Sequence, residues 1–521
     1  MIIPYPSKAF RFWQNLKAWQ LYFLAFLSGA ALTFTLAPFC VLPLGFLSFT
    51  LFALLLRKIT LLFSFSAYQK LKASFFLGWS FAFGYFTFGL WWLGSALFIN
   101  PSRDLWALPL ALLALPAFLS LYWGASTLFT ALFTRYSIII QFFFLAASFA
   151  LMEWLRSFLF TGFAWNSLGY CLMPSVFFMQ PAALFGLYGM NFFAVLFFSA
   201  PSLFFCSSGW QQKALLAAVG SLCLIFLLFS GWRLHHAPAI AEEIAEPYLL
   251  IRLVQPDTAQ QEKTDNLQRF NTLQKLLALS TKSTNDRQHP YPDVIIWPET
   301  ALPYVPEFMP QVLDYIRLKL HNKQILLTGA VHAKAEKNPR AKQGSPQLRF
   351  FNSLLAIDAR HPLLAVSNKQ HLVPFGEYLP FAPLWEKLHL HAIAQAIGQY
   401  SAGSERRSVV LGNGLIYLPL ICYEATFPHE LCYNGMRANI IINVTNDAWY
   451  PHTIEAYQHF QQAQLRAVEQ NLPLIRVANR GICALIDAYG RILYAVGPGK
   501  TVIKDCKLSK NMFLNRGTFG T

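Results

Sequence analysis

Long apolar runs fill the first 232 residues of the chain, where they alternate with short polar segments. A membrane-spanning helix needs about 20 mostly apolar residues, and seven of the runs are close to that length or longer. Pro38 and Pro43 separate the first two runs, which predicts a helical hairpin. The predicted spans are 18–36, 39–56, 73–98, 105–133, 138–160, 182–206 and 213–231.

The pattern changes after residue 247, where short strand-like apolar segments alternate with amphipathic helices. Such alternation favours a layered α/β domain. Strands are predicted at 248–255, 293–299, 324–331, 354–359, 363–369, 415–424, 439–447 and 472–479, with a hairpin at 483–496. Helices are predicted at 265–283, 306–323 and 455–471.

The two patterns divide the chain into segments. An N-terminal tail, 1–17, precedes a transmembrane domain of about seven helices at 18–232, and a linker follows at 233–246. The α/β domain is expected at 247–506, and residues 507–521 form a C-terminal tail. The expected architecture is therefore a multi-span helical membrane bundle joined to one α/β domain.

Composition supports this division. Charged residues make up 13% of the chain and hydrophobic residues 55%, whereas soluble domains average about 25% charged residues. These values exclude a disordered, collagen-like or disulfide-scaffold protein and argue against a wholly soluble one. The charge is uneven, because residues 1–232 hold 11 of the 41 Lys and Arg residues but only two acids, Asp104 and Glu153.

The basic residues predict the orientation of the spans. If the N-terminus is cytoplasmic, nine of them fall in inside segments and only Arg103 falls in an outside loop. Positive charge concentrates on the cytoplasmic side of membrane proteins. Seven spans then place residue 232 and everything after it on the opposite face, which is the periplasm if this is an inner-membrane protein of a bacterium. The net charge of +16 thus reflects the orientation of the chain in the membrane, and no nucleic-acid partner is expected.

Two ionisable residues lie within a predicted span. Glu153 and Arg156 are three positions apart, which places them on one helix face. One interpretation is a mutually satisfied pair near a helix end. The other is a contact with a lipid headgroup near the outer surface.

The sequence carries no motif for a metal or a cofactor. Its eight cysteines form no CxxC or His/Cys ligand spacing, and there is no Walker A or GxGxxG run. His389 and His391 form an HxH without a further ligand nearby. We therefore expect no metal and no cofactor.

Three predicted strands of the α/β domain end in reactive residues. Glu299 ends VIIWPE, Lys369 ends LLAVSNK, and Cys422 lies near the end of LPLICYE. Catalytic groups in α/β domains gather at the carboxyl ends of strands. Each residue alone has a structural explanation, as a core cysteine or a solvated charge, but the three together predict a site.

A carboxylate, an ammonium and a thiol can together carry out acyl transfer. The thiolate is the active nucleophile, and Lys369 would favour it electrostatically. Glu299 could accept the thiol proton and later take a proton from an incoming amine. Lys369 and a backbone N–H could stabilise the oxyanion of a tetrahedral intermediate. The trio therefore predicts chemistry through a thioester.

Several motifs resemble those of the nitrilase superfamily and, within it, the apolipoprotein N-acyltransferase family. The order Glu299, Lys369, Cys422 is similar to the Glu–Lys–Cys triad of nitrilases and amidases. The resemblance covers about 20–505, nearly the whole chain. Its motifs are TGFAWNSLGY (161–170), WPETALP (297–303), NKQHLVPFGEYLPF (368–381), ICYEATFP (421–428) and IINVTNDAWY (441–450).

The resemblance implies a fold and a reaction. The α/β domain would be a nitrilase-type αββα sandwich on the membrane bundle. Cys422 would attack the sn-1 acyl ester of a phospholipid, and the α-amine of diacylglyceryl-cysteine in an apolipoprotein would then accept the acyl chain. Glu299 would be general base and acid, and Lys369 would stabilise the oxyanion. The phospholipid donor and the lipoprotein acceptor are the expected partners of a membrane-embedded monomer.

The resemblance also implies supporting residues. Glu377 would support the triad, and Tyr423 and Glu424 would shape the site of the nucleophile. The alternative for Glu377 is a surface ion pair. The long apolar segment 380–400 predicts a lid that dips into the outer leaflet and excludes water from the thioester; the alternative is an amphipathic helix packed on the domain.

The chain departs from the family pattern at three places. A final membrane helix usually follows the catalytic domain, but 497–521 contains no apolar run, so we expect the C-terminus to stay periplasmic. Thr264 lies near the place of a tryptophan that is usual after the first strand. Arg480 occupies a position where a small or amide residue is usual.

Two other functions are compatible with the same pattern. A membrane-tethered nitrilase-like amidase or hydrolase would pass the acyl group to water. A transporter with a non-catalytic nitrilase-like domain would leave Cys422 unreactive. The few charges within the predicted spans and the intact trio favour the transferase.

Overall fold

A computed structural model of the chain describes residues 16–61, 65–133, 137–205, 209–240, 247–260, 262, 267–284, 286, 289–337, 346–381, 400–431 and 436–509. The chain divides into two compact units. The first comprises 1–237 with 452–461, and the second comprises 238–451 with 462–521. The interior of the predicted lid, with His389 and His391, lies outside the described residues, and so does Thr264.

The first unit is helical. Leu32, Leu77, Phe81 and Leu119 are among its fully buried apolar residues, so its helices pack through apolar side chains. The long helices are α1 (Ala18–Leu32), α2 (Pro43–Leu61), α3 (Ala67–Gly89), α4 (Leu115–Leu132), α5 (Ile138–Arg156), α6 (Ala182–Ser199) and α7 (Trp210–His235).

Among the described residues of this unit, six helical segments are long and apolar enough to cross a membrane, judged by length and composition. A seventh candidate is the pair of α3 and the 3₁₀ helix Trp91–Phe98, whose axes differ by 42°. The number agrees with the seven predicted spans. The predicted straight span at 73–98 instead starts at Ala67 and bends at Leu90, where the backbone leaves the helical region (φ −121°, ψ 10°).

Two glycines let α1 and α3 approach closely. A β-carbon on Gly29 would lie 1.8 Å from the carbonyl oxygen of Phe81, and one on Gly84 would lie 2.0 Å from that of Phe26. No other residue fits at such distances. Small residues at crossings are the usual means of packing helices in a membrane, where no hydrophobic effect drives the helices together.

The charged pair within the membrane unit is internally satisfied. Arg156 Nη2 lies 2.7 Å from Glu153 Oε2, and neither side chain is exposed. The indole Nε1 of Trp123 donates to Glu153 at 2.7 Å, and Arg156 Nη1 donates to the carbonyl of Trp165 at 3.0 Å. The contacts favour the interpretation as a structural pair over the headgroup contact.

The second unit contains two six-stranded sheets. The first sheet comprises β1 (Tyr248–Gln255), β2 (Val294–Ile296), β3 (Ile325–Lys337), β4 (Pro346–Asp358), β5 (Ala365–Asn368) and β12 (Val502–Ser509). The second comprises β6 (Val409–Val410), β7 (Ile416–Ile421), β8 (Ile440–Asn446), β9 (Leu474–Asn479), β10 (Cys483–Ile486) and β11 (Ile492–Val496).

The strands follow the spatial orders β12-β1-β2-β3-β4-β5 and β11-β10-β9-β8-β7-β6. In each sheet three neighbouring strands run parallel: β1, β2 and β3 in the first, and β7, β8 and β9 in the second.

The sheets share one apolar core. Ile251 of β1 and Ile442 of β8 belong to the same buried cluster, which contains strands of both sheets. The outer face of the first sheet packs on α8 (Arg269–Ser280) and α9 (Pro310–Arg317) through a second cluster. Every residue of β1 is buried, because both faces of the sheet are covered. A further helix, α10, spans Glu455–Gln470.

Two strands were missing from the prediction, the two-residue β6 and the longer β12. β12 pairs antiparallel with all of β1, and it crosses the expected domain boundary at 506. Its inward residues, Cys506 and Leu508, join the core between the sheets. Charged residues next to them in the strand mask the alternation in the sequence. One of these, Asp505, pairs with buried Arg252 of β1 at 2.7 Å, a contact between distant parts of the chain.

Candidate active site

The fold of the second unit brings the three predicted strand ends together. Glu299 lies three residues after β2, while Lys369 and Cys422 directly follow β5 and β7. Lys369 Nζ lies 3.4 Å from Glu299 Oε1, and both groups act electrostatically on the Cys422 thiol. The strand ends come from both sheets, so only packing of one sheet on the other assembles the site.

Glu377 is part of this cluster rather than a surface ion pair. Its carboxylate lies 2.9 Å from Lys369 Nζ, and its side chain is only 12% exposed. The backbone N–H of Val373 donates to the same carboxylate at 2.7 Å. Two carboxylates, Glu299 and Glu377, therefore share one ammonium.

Asn352 completes the cluster and was missed by the sequence reasoning. Its Nδ2 donates to Glu299 at 2.7 Å and to Glu377 at 2.8 Å. Its backbone carbonyl accepts from the N–H of Lys369 at 2.7 Å. A single amide group thus aligns both carboxylates as acceptors. The signal that could have found it is a lone amide residue within the apolar strand FFNSLLAI (350–357).

Lys369 stays charged in this environment. Burial alone would lower the pKa of its ammonium group. The negative charges of Glu377 and then Glu299 outweigh burial and raise the pKa above its ordinary value. The ammonium is therefore a permanent positive charge in the site.

The Cys422 thiol is protonated at rest. Burial is the largest cause that raises its pKa well above the ordinary value, and the charge of Glu299 adds to it. Lys369 and a hydrogen bond from Thr445 act in the opposite direction but do not prevail. Lys369 therefore favours the thiolate, as expected, but its charge alone does not ionise the thiol. The thiol must lose its proton as it attacks, and Glu299 is the neighbouring base.

A strained turn presents the nucleophile. The φ of Cys422 is +52°, in a region that residues other than glycine seldom adopt. The 3₁₀ turn Cys422–Thr426 begins at this residue. A sharp turn at a strand end exposes the side chain while the backbone amides stay close to it, and strain of this kind is frequent at functional sites.

Glu424 connects the nucleophile turn to the lysine loop. Its carboxylate is 1% exposed and accepts from the N–H of Ile421 and the N–H of Gln370, each at 2.7 Å. Ile421 precedes the nucleophile and Gln370 follows the lysine. The predicted supporting residue therefore lies where it can fix their separation. Arg406, which the sequence analysis did not single out, pairs with it at 2.7 Å.

Tyr423 and Tyr400 flank the cluster. The ring of Tyr423 packs edge-on against Phe427, with centroids 4.9 Å apart. Burial raises the pKa of Tyr400 to about 12, and the charges of Glu377 and Glu299 contribute to the shift. Tyr400 thus lies close to both carboxylates as a neutral phenol.

Arg480, the departure noted in the sequence, lies at the end of β9. Its Nε is 2.9 Å from Asp257, which follows β1. Both residues have positive φ, 61° and 50°. The arginine therefore forms an ion pair between two strand ends.

Comparisons with known proteins agree with this geometry. The carbon-nitrogen hydrolase family model matches residues 250–510, and the model of the apolipoprotein N-acyltransferase N-terminal domain matches 28–200. An apolipoprotein N-acyltransferase of Brucella melitensis biotype 1 is 44% identical over 92% of this chain and 87% of its own length. One of Allorhizobium ampelinum is 41% identical over 92% of this chain and 88% of its own length.

The fold and the site define a carbon-nitrogen hydrolase domain, of the nitrilase superfamily, attached to a helical membrane domain. The fold class expected from the sequence is confirmed. The chain belongs to the apolipoprotein N-acyltransferase family, because relatives well above 30% identity cover nearly all of it.

Proposed function

We propose that this membrane-embedded acyltransferase matures bacterial lipoproteins, with Glu299, Lys369 and Cys422 as its catalytic triad. It would move the sn-1 acyl chain of a phospholipid to the N-terminal amine of diacylglyceryl-cysteine. Family membership supports the acyltransferase activity, lipid and lipoprotein substrates and N-acylation. The observation that carries the triad is the Lys369 ammonium, 3.4 Å from Glu299 and electrostatically coupled to Cys422.

The first half-reaction would load the enzyme. Glu299 takes the thiol proton as Sγ of Cys422 forms a bond to the ester carbonyl carbon. Lys369 and a backbone N–H at the turn stabilise the oxyanion. The carbon–oxygen bond then breaks, and Glu299 returns the proton to the leaving oxygen of the lysophospholipid. An acyl thioester remains on Cys422.

The second half-reaction would transfer the acyl group from Cys422 to the acceptor. The neutral α-amine of the lipoprotein attacks the thioester carbonyl, and Glu299 takes one amine proton. The carbon–sulfur bond breaks, and the proton passes to the departing sulfur of Cys422. The product carries an amide-linked third acyl chain, and the enzyme regains its thiol. Neither half-reaction needs a metal or a cofactor.

Glu377, Tyr423 and Glu424 would support this chemistry without exchanging protons. Glu377 balances the charge of Lys369, which leaves Glu299 able to gain and lose a proton. Glu424 holds the nucleophile turn beside the lysine loop. Tyr423 packs beside the nucleophile and limits its motion.

The membrane placement follows from charge and from the substrates. An inner-membrane location with a cytoplasmic N-terminus and a periplasmic catalytic domain fits the basic residues between the spans. Both proposed substrates reside in the bilayer, so the membrane spans keep the enzyme beside its substrates. We expect the enzyme to act as a monomer.

The test is a mass-spectrometric search for the thioester. The purified protein is incubated with phospholipid alone, and the peptide that contains Cys422 is analysed. A hydroxylamine-labile acyl group that a diacylated lipopeptide discharges into a triacylated product is expected. Discharge by water alone would instead identify a hydrolase, and an unmodified Cys422 in folded protein would refute the proposal.

Two variants sharpen the result. Cys422→Ser removes the thiol and should abolish the hydroxylamine-labile adduct. Cys483→Ser is the matched control, because Cys483 is a buried thiol on β10 and packs in the core between the sheets. It should leave loading unchanged.

A further inference from the structure

A buried guanidinium group lies behind the nucleophile turn. The side chain of Arg406 is 4% exposed, and its Nη2 lies 2.7 Å from Glu424 Oε1. Its Nη1 lies 3.0 Å from Glu424 Oε2 and 2.6 Å from the carbonyl oxygen of Pro419 in β7. The arginine therefore donates to both oxygens of one carboxylate and to the strand that carries the nucleophile.

These contacts matter because Glu424 also accepts hydrogen bonds from backbone amides of two chain segments. It accepts from Ile421 at 2.7 Å, from Gln370 at 2.7 Å and from His371 at 3.3 Å. All three are N–H donors, so both oxygens of the Glu424 side chain act as acceptors. Loss of the guanidinium would leave this buried side chain without its charged partner and free to turn away from the amides.

A second carboxylate shares the guanidinium. Glu430 lies 3.1 Å from Arg406 Nη2 and 3.0 Å from Nδ1 of His371, and Nε2 of His429 is 3.8 Å from it. Burial alone would raise the pKa of Glu430, but His371 and Arg406 outweigh burial and lower it to about 2. Glu430 is thus an anion beside Arg406.

We propose that Arg406 is a positioning residue for acyl loading, which holds the Glu424 carboxylate aligned so that the Cys422 turn and the Lys369 loop keep their separation. The inference rests on the proposed function, because it assigns Arg406 a part in that reaction. The guanidinium contacts Glu424, Glu430 and the carbonyl oxygen of Pro419, and it acts on the nucleophile turn through Glu424.

The test is a double-mutant cycle on the full-length protein in lipid nanodiscs. The variants are Arg406→Ala, Glu424→Gln and the combination of both, and the measured quantity is the initial rate of thioester formation on Cys422. A misplacement of about 1 Å can cost about 100-fold in rate, so each single variant should load about 100-fold more slowly. Because the two residues act as one unit, the double variant should be no slower than the slower single variant. Effects that multiply would overturn the proposal.

Rescue by a conservative change separates positioning from simple loss of packing. Arg406→Lys keeps a cation that can reach Glu424 and should load faster than Arg406→Ala. Arg406→Met fills similar space without a charge and should load as slowly as Arg406→Ala. Equal loading by Arg406→Lys and Arg406→Met would also overturn the proposal.

Controls keep the result interpretable. Arg407→Ala is the matched control, because Arg407 is the next residue, is 71% exposed and pairs with Glu405; it should load like wild type. If Arg406→Ala does not fold, Arg406→Met takes its place in the cycle under the same criterion. Absence of a thioester on wild-type protein would refute the proposed function itself, whereas normal wild-type loading with multiplying effects would refute only the role of Arg406.

Discussion

Lys369 lies closer to Glu377 than to the proposed base Glu299, at 2.9 Å against 3.4 Å. Glu377 also receives hydrogen bonds from Asn352 and from the N–H of Val373. Glu377 is therefore the closer counter-charge of the ammonium, and the proposed function leaves the proton transfers to Glu299.

Glu377→Gln should lower the rate of thioester formation by about 100-fold, comparable to the loss of one oxyanion donor. Without the Glu377 carboxylate, Lys369 would lose its nearer partner and shift towards Glu299, so the alignment of the triad would change. The measurement is acyl loading of Cys422 from phospholipid. Glu307→Gln, at a separate Glu–His pair, is the control, and wild-type loading by Glu377→Gln would contradict this division of roles.

Asn352→Asp should slow the formation of the thioester by about 100-fold, comparable to a misplacement of about 1 Å in the site. The change removes the amide that donates to Glu299 and Glu377 and places a third acidic group between them. The measurement is acyl loading of Cys422 from phospholipid. Thr328→Val, which removes a buried hydroxyl from the neighbouring strand β3, should load like wild type. Equal loading by wild type and Asn352→Asp would show that the amide does not align the carboxylates.

Alkylation of Cys422 by iodoacetamide should keep accelerating as the pH rises beyond 9, since the pKa of the thiol is raised well above the ordinary value of 9.0. Glu299→Gln removes a negative charge and should move this profile to lower pH, although the same variant should fail to load an acyl group. Peptide mass spectrometry after timed alkylation follows the reaction at Cys422 alone. A plateau below pH 8 in wild type would indicate a resting thiolate instead.

Glu430 should stabilise the second unit in a pH-dependent way. Its pKa is lowered from 4.5 to about 2, so its contribution is complete above pH 4.5 and is lost as the pH falls through about 2. The shift corresponds to about 3 kcal/mol. The melting temperature of wild type should therefore fall more steeply over this range than that of Glu430→Gln. Glu405→Gln, at an exposed pair, should follow wild type; equal slopes for all three proteins would rule out a role for Glu430.

Gly84→Ala should destabilise the membrane unit. The added β-carbon would lie 2.0 Å from the carbonyl oxygen of Phe26, so α1 and α3 would have to separate. Overpacking of this kind costs about 1–3 kcal/mol. The melting temperature in detergent measures the effect. Gly220→Ala is the matched control, because nothing lies within 4 Å of a β-carbon at that position. An equal melting temperature for the two variants would argue against close packing at Gly84.

Patterns along the chain were enough to predict much of the architecture. Hydropathy has a direct physical meaning in a membrane, so apolar runs long enough to span one could be located, and each coincides with helix in the structure, including the region that bends at Leu90. The alternation of strands and helices predicted the α/β class, because each strand or helix must be apolar on the face that it buries. Reactive side chains at strand ends such as Glu299 and Lys369 could be singled out because they interrupt apolar runs.

Only the tertiary structure decided which groups meet. Asn352 lies in the middle of a strand, and Arg406 lies in a loop, so neither has a local pattern that marks it. β12 was missed because its charged residues hide the alternation, and its place beside β1 depends on pairing between distant segments. The balance of effects on Cys422 also needed the structure, because Lys369 favours a thiolate but burial and the charge of Glu299 outweigh it. The sequence determines which residues are available, and burial and distance, which only packing creates, determine their charges and their roles.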